Sequence, residues 1–385
     1  MKVISIGSDR NLFMEGTEVR ERMVKYGRLT EELHVVVFSQ RSANLTPQQI
    51  SENTWIYPTN SLDRWFYVWS AVSIGKKLLS AHSTSASLWL VTAQDPFESG
   101  YAGYKIAKRF KLGLQLQIHT DFLNPHFVHE SKLNKIRVKL ATFLIPKANC
   151  IRVVSNTIKN LILKRFPRVN PKAITVLPVF VDLGKIKITD PLLNLHEKYP
   201  QFDFIILMVA RLEHEKNIPL AIQALKNILP RHPKTGLVIV GEGSEKIRLK
   251  KLALSEKMLE NSIVFEGWRQ NLPSYYKTAD MLLVTSNYEG FGRMFVEAAS
   301  VGCPIVTTDV GIARELILDD ESSFICSVGN ESCITQNIAR LIEHESVRRV
   351  YALKLEARAG NIVTTDEQSY LDRYKASWEY CLNTP

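Results

Sequence analysis

The run Met281-Leu282-Leu283-Val284-Thr285 is apolar without alternation, and a glycine-bearing loop and a short amphipathic helix follow it directly. A short continuous apolar run bounded in this way reads as a strand buried on both faces, the kind found in parallel sheets covered by helices. This limits the chain to an α/β architecture. The loop and helix read Ser286-Asn287-Tyr288-Glu289-Gly290-Phe291-Gly292-Arg293-Met294-Phe295-Val296-Glu297, and the helix ends near Gly302-Cys303-Pro304. Unpaired N–H groups and the positive end of the dipole make such a helix start an anion site. Two carboxylates accompany it, Glu289 on the loop and Glu297 within the helix. A phosphate needs no acids, but the hydroxyls of a sugar are well served by them.

The same strand–helix alternation runs along the whole chain and does so twice. The first half predicts strands over Lys2–Ile6, His34–Phe38, Ser87–Thr92, Leu114–Ile118, Ile151–Val154 and Ile174–Leu177, with helices over Val19–Tyr26 and Gly100–Phe110. The second half predicts strands over Phe204–Ala210, Gly236–Val240, Ile263–Glu266, Met281–Thr285, Pro304–Thr308 and Ser323–Cys326, with helices over Pro219–Leu229 and Leu272–Ala279. Alternation of this kind implies doubly wound parallel sheets. A length of 385 residues fits two domains of roughly 100–200 residues each. The boundary is expected near Val181–Asp182, before a stretch to Asp203 without strand signal, giving domains 1–181 and 182–365. Residues 366–385 read as a terminal helix whose Tyr370, Tyr374, Trp378 and Tyr380 must pack on something, and the first domain is the expected partner. Two such domains are expected to face a central cleft lined by the loops at the carboxyl ends of their strands.

Charge is concentrated. The chain carries a formal +10, and residues 129–172 hold eleven lysines and arginines against the single acid Glu130. Leu133, Ile136, Val138, Leu140, Phe143 and Leu144 are interleaved with them. Solvated helix faces would look like this, and so would a surface for an anionic partner, whether a membrane or nucleic acid. No apolar run reaches the roughly 18–20 residues of a spanning helix, and residues 1–8 read as a strand rather than a leader. Five cysteines, an odd number without a CxxC pair, read as reduced thiols of a cytoplasmic protein.

Arg211 follows the strand Phe204–Ala210 directly, and Lys216 stands just before the next helix. Arg offers a fork to phosphate oxygens and Lys a compact charge; the plainer reading is ion pairing with Glu213 and Glu215. In the ordered set Val209-Ala-Arg-Leu212, Glu215-Lys-Asn217, Val240-Gly-Glu-Gly243, Phe265-Glu-Gly-Trp268, Glu289 to Glu297, Ala298-Ala299, Gly302-Cys-Pro-Ile-Val306 and Thr308-Asp-Val-Gly311 the chain resembles the retaining glycosyltransferases of the GT-B fold, family 4, also called glycosyl transferases group 1. The resemblance covers nearly all of the second half. It is looser in the first, through Gly16, Asp95, His119 and Val153-Val-Ser155. Glu15-Gly16 stands where the family often has two glycines, and Val176-Leu-Pro-Val-Phe-Val-Asp182 lacks the Asn-Gly common before the final Val-Asp.

The resemblance implies a hexosyltransferase using a nucleotide diphosphate sugar, with UDP-sugars favoured over GDP-mannose. It implies that Arg211 and Lys216 hold the diphosphate, and that the amides around Gly290, Phe291, Gly292 and Arg293 cap it. Glu297 is implied to take the ribose diol and Glu289 the hydroxyls of the transferred sugar. Trp268 and Arg269 fall where the family places its nucleobase, although Trp268 reads equally well as core. Contacts after Gly241 bear on donor choice. His119, at a strand end, is implied to lie near the sugar and β-phosphate, and Gly16 to let backbone approach the phosphates. No Asp-x-Asp motif is present, so no metal or other cofactor is expected. Retention is implied to follow front-face attack, with no dedicated base. The expected acceptor is a glycan, lipid-linked or membrane-associated, with the basic segment 129–172 on an anionic membrane at the cytoplasmic side of the plasma membrane and no nucleic acid bound. The same residues leave two rivals: a nucleotide-sugar epimerase of the same fold, and a non-catalytic protein that binds nucleotide sugars or nucleic acid.

Overall fold

The computed structural model describes residues 1–81, 88–255, 261–318, 324–363 and 366–384. Ser87 and Ser323, the expected first residues of two strands, lie outside them. Two compact units are present, Met1–Leu177 with Gln368–Pro385, and Pro178–Glu367.

The first unit contains β1 (Lys2–Gly7), α1 (Glu18–Gly27), β2 (Glu32–Val37), β3 (Gln48–Ser51), β4 (Thr54–Pro58), α2 (Tyr67–Ala81), β5 (Trp89–Ala93), α3 (Glu98–Phe110), β6 (Gly113–Ile118), α4 (Pro125–Glu130), α5 (Lys132–Leu144), β7 (Cys150–Val153), α6 (Asn156–Arg165) and β8 (Ile174–Val176). Its sheet runs β3-β4-β2-β1-β5-β6-β7-β8, parallel except for the edge pair β3–β4. Every residue of β1 and β5 is buried, as the two-sided covering of a parallel sheet requires. The order reverses between β1 and β5, which places the loops after these strands at the switch point.

The second unit contains α7 (Leu183–Ile188), α8 (Leu195–Lys198), β9 (Phe204–Val209), α9 (Ile218–Ile228), β10 (Thr235–Val240), α10 (Lys246–Leu254), β11 (Ile263–Gly267), α11 (Leu272–Thr278), β12 (Met281–Val284), α12 (Arg293–Ser300), β13 (Ile305–Thr308), α13 (Ala313–Leu316), β14 (Ile325–Cys326), α14 (Glu331–Glu343) and α15 (Glu345–Ile362). Its six parallel strands run β11-β10-β9-β12-β13-β14. This is the doubly wound 3-2-1-4-5-6 order, and its switch point lies between β9 and β12.

The terminal helix α16 (Glu367–Leu382) packs in the first unit. The Tyr374 ring stacks on Tyr26 at 4.2 Å, Trp378 meets Tyr374 edge-on, and the Tyr370 and Tyr26 hydroxyls are 3.2 Å apart. Beneath this aromatic layer Arg152 is buried. Its guanidinium donates to Gln117 Oε1 at 2.6 Å and lies 4.6 Å from the Tyr374 ring centre. One of the eleven basic residues of 129–172 is therefore interior, and a second, Arg137, is paired with Glu98. The segment is less of a single charged surface than its composition suggests.

The cysteines also differ from the expectation of free thiols. Cys150 of β7 is bonded to Cys381 of α16, and Cys326 to Cys333, with Cα separations of 5.3 and 5.8 Å; Cys303 is free and buried. The 231-residue separation of the first pair has no short-range signature. Among the described residues no helix is long and apolar enough to cross a membrane.

Candidate functional site

The loops after β9 and β12 emerge side by side at the switch point of the second unit. Three hydrogen bonds join them: Asn287 N to Glu215 O at 2.8 Å, Thr285 Oγ1 to Lys216 O at 2.9 Å, and Asn217 Nδ2 to Asn287 Oδ1 at 3.1 Å. Asn217 reaches its partner from a left-handed backbone, φ 45°, a conformation Asn tolerates better than most residues. The seam delivers Lys216 to Glu289. Lys216 Nζ donates to Glu289 Oε1 at 2.6 Å, and Ser286 Oγ donates to the same oxygen at 2.8 Å. Both side chains of the ion pair are largely buried, where a charged pair with a further hydrogen bond is held much more firmly than on the surface.

Arg211 behaves differently. It pairs with Glu215 Oε1 at 2.8 Å, yet its side chain is 74 % exposed. The plainer reading of this residue is thus correct for Glu215. Glu213 instead accepts from Ser244 N and Ser244 Oγ, which ties the loop after β10 to that after β9 and holds the Glu213 carboxyl below its usual range.

Gly241 makes the close approach of these loops possible. A Cβ there would sit 1.9 Å from Ala210 O. Its N–H donates to Gly267 O at 2.8 Å, so the loop after β11 joins the same rim. Trp268 follows at 66 % exposure, which removes the reading of this residue as core. Arg269 is anchored through two bonds to Glu266 Oε2, at 3.1 and 2.7 Å. Glu266 is buried, and burial alone would raise its pKa. Hydrogen bonds from Lys198, Tyr199 and Arg269 outweigh that and bring it down to about 2.

Gly292 caps α12 in the left-handed region, φ 83°, where a Cβ would press on Phe295 at 2.6 Å. The turn buries Gly290 and Phe291 and leaves Arg293 at the helix start half exposed. Phe291 O in turn accepts from Ile312 N at 3.2 Å. Glu297, one turn on, is only 7 % exposed. Its Oε2 accepts from the buried Tyr276 hydroxyl at 2.9 Å, and Arg293 Nη2 lies 3.2 Å from Oε1. Burial, then the Glu297 charge, push the Tyr276 phenol well above its ordinary pKa, so it stays a donor. Tyr276 was not singled out from sequence. It lies 21 residues before its partner, on the neighbouring helix α11. Ser286, which begins the loop, has only a faint sequence signal, a hydroxyl directly preceding Asn-Tyr-Glu.

In the first unit Gly16 follows β1 at φ 71°, exposed and with open space around it. Asp95, after β5, is a cap rather than a free acid. It accepts from Phe97 N at 2.8 Å and Ser99 Oγ at 2.6 Å, and burial raises its pKa despite them. His119 stands at the end of β6. Its Nε2 is buried and meets no hydrogen-bond partner among the described residues. Burial, then the charges of Arg152 and Arg22, lower its pKa to about 3. The imidazole is therefore neutral at physiological pH. Among the described residues no cluster of three or more His, Cys, Asp or Glu could hold a metal ion.

Similar proteins are known. The sequence profile of the glycosyl transferases group 1 matches residues 196–358. The N-acetylgalactosamine-N,N'-diacetylbacillosaminyl-diphospho-undecaprenol 4-alpha-N-acetylgalactosaminyltransferase of Campylobacter jejuni is 32 % identical over 237 residues, 60 % of each chain. The UDP-Gal:alpha-D-GlcNAc-diphosphoundecaprenol alpha-1,3-galactosyltransferase of Escherichia coli is 27 % identical over 183 residues, 46 % of each. The matched regions thus span about half the length of these relatives. The crystal structure of HepE from Anabaena with UDP and glucose superposes with a TM-score of 0.74 at 19 % identity, over 98 % of this chain and 99 % of that one. The unit that carries the Lys216–Glu289 loops therefore matches the glycosyl transferases group 1 over residues 196–358, and the chain as a whole has the GT-B fold of two Rossmann-like units.

Proposed function

We propose that the protein is a retaining glycosyltransferase that moves a hexose-type sugar from a nucleotide diphosphate sugar, a UDP-sugar in preference to GDP-mannose, to a hydroxyl of a lipid-linked or membrane-associated glycan. The observation that carries this is the buried Lys216–Glu289 pair at the switch point, beside the start of α12. A cation and a helix start suit a diphosphate, and an acid held against them suits the hydroxyls of the sugar attached to it. The C. jejuni and E. coli relatives named above act on diphospho-undecaprenol-linked sugars, and the structure with UDP and glucose supports the donor class.

In this reading Lys216, Arg211 and the amides of Gly290 to Arg293 hold the diphosphate, and Glu297 takes the ribose diol through its Oε1 side. Glu289 orients the sugar, Trp268 and Arg269 flank the base, and the loop at Gly241 shapes donor choice. The bond from the anomeric carbon to phosphate breaks while the acceptor oxygen bonds to the same face. The acceptor's proton passes to the departing phosphate oxygen. Lys216 and the helix dipole stabilise the charge that develops there, so the step asks for neither a metal nor a separate base. His119 offers a neutral ring nitrogen, and the Gly16 loop an adaptable backbone, to the bound substrates. The first unit would bind the acceptor, and α5 would rest on the anionic cytoplasmic face of a membrane, where Lys135 and Lys139 are exposed.

NMR of a reaction with UDP-hexose and a diphospho-undecaprenol-linked sugar tests the proposal. The expected result is one UDP released per α-linked product, unaffected by EDTA. Release of an epimer from donor alone, or salt-sensitive nucleic-acid binding without any turnover, would replace it with one of the rival functions.

A further inference from the structure

An apolar stripe of the first unit follows the carboxyl end of β4. Leu62, Trp65, Phe66 and Trp69 recur at three- and four-residue spacing, in the turn that leads into α2 and in its first turn. All four are exposed, Trp65 by 79 % and Trp69 by 77 %. The opposite side of α2 explains why Trp69 cannot turn inward. Ala71, Gly75 and Leu79 are buried there, and a Cβ at Gly75 would lie 2.4 Å from Ile106 Cδ1 of α3. Close packing through a glycine fixes the rotation of α2 and commits Trp69 to the outside.

The neighbouring surface shows what would cover it. Helix α3 packs against both α2 and α5, so the three form one layer. They carry two, three and four lysines and arginines respectively, against the single acid Glu98, which is paired with Arg137. Aromatic rings are set among these charges. Lys105 lies over Tyr101 at 5.2 Å, Lys108 over Tyr104 at 5.8 Å, and the Tyr104 ring meets Phe143 of α5 at 5.7 Å. A protein partner would bring acids to match isolated lysines. A layer in which each helix carries both cations and aromatic rings matches the headgroup zone of an anionic bilayer, where aromatic rings and lysines both settle.

We propose that Leu62, Trp65, Phe66 and Trp69 form a wedge that enters the boundary between headgroups and acyl chains of an anionic bilayer, with the lysine-bearing faces of α3 and α5 lying on the headgroups beside it. The proposal rests on the membrane reading given above, which already places α5 there, and adds α3 and the aromatic stripe, which lie outside 129–172. The wedge supplies apolar burial and the lysines supply charge attraction, and neither alone makes a stable anchor.

Tryptophan fluorescence with vesicles of phosphatidylglycerol and phosphatidylcholine bearing brominated acyl chains tests it, using the full chain. Wild type is expected to bind and be quenched. W65F/W69F should bind as wild type and lose most of the quenching. W65S/W69S should bind on the order of tenfold more weakly, with UDP binding kept as a check of the fold. Equal vesicle binding by W65S/W69S, with no quenching of wild type, would overturn the wedge while leaving α5 on the membrane. No binding of wild type to anionic vesicles, or binding to RNA in its place, would overturn both.

Discussion

Lys216 Nζ stands 2.6 Å from Glu289 Oε1, although 73 residues separate them in the chain. Each closes the loop of a different strand, and those strands, β9 and β12, are neighbours only because the sheet reverses its order between them. The pair is thus a product of topology, and it sits where open parallel sheets bind ligands. Replacing Lys216 with Ala removes the cation and strands a mostly buried acid. Transfer, read as kcat/KM for the donor, is expected to fall by about 10²–10³-fold, the scale of losing one charged stabiliser of a leaving group. Glu289→Gln keeps the shape, weakens the bond to Lys216, and should cost less. Steady-state kinetics on both variants check the ranking.

Tyr276→Phe leaves Glu297 without the donor to its Oε2. The hydroxyl is buried, so unfolding by denaturant should show a loss of about 1 kcal/mol. The freed carboxylate can turn, and the KM for the donor is expected to rise several-fold with kcat little changed, since the ribose contact is the same in ground and transition states.

His119 is neutral down to about pH 3. Its folded pKa lies below the unfolded value near 6.5, so the unfolded chain binds more protons between those limits. Stability from this group is complete above about pH 6.5 and declines as the pH falls toward 3, by up to about 1.4 kcal/mol per pH unit. Transfer should show no acid limb near 6.5 arising from this ring. His119→Asn should remove the stability slope above pH 4.5, and NMR of the ring protons gives the titration directly.

Glu266 adds a second, lower window. Its folded pKa of about 2 lies below the ordinary 4.5, so the stability it contributes is complete above about pH 4.5 and is lost as the pH falls from there toward 2. Glu266→Gln should flatten acid unfolding in that lower window only. It should also loosen Arg269 and weaken nucleotide binding, which a thermal-shift titration reads alongside.

Much of this could be read from the chain, for identifiable reasons. Phe204–Val209 and Met281–Val284 are uninterrupted apolar runs because both faces of their sheet are covered, and such runs announce a parallel strand. Glu289 and Glu297 stood out because acids are unexpected at a helix start that binds phosphate. The misses share another cause. Strand β4, Thr54-Trp-Ile-Tyr-Pro58, is covered more on one face and ends in proline, and β3 is a short antiparallel edge. Helix α2 has no acid in its first turn, so its start carries little signal. Arg152 reads like its ten basic neighbours, and only the packing of α16 reveals that it is buried. Trp268 reads equally well as core or as part of the nucleobase site, and the sharp turn at Gly267 holds it outside.

Calorimetric titration of UDP into wild type and Lys216→Ala, with GDP and ADP as controls, tests the central claim most directly. The account predicts that UDP binds wild type in preference to the other two, and that the variant, still folded by circular dichroism, binds it at least about tenfold more weakly. Equal affinity in the two proteins, or no binding of any nucleoside diphosphate to wild type, would contradict it.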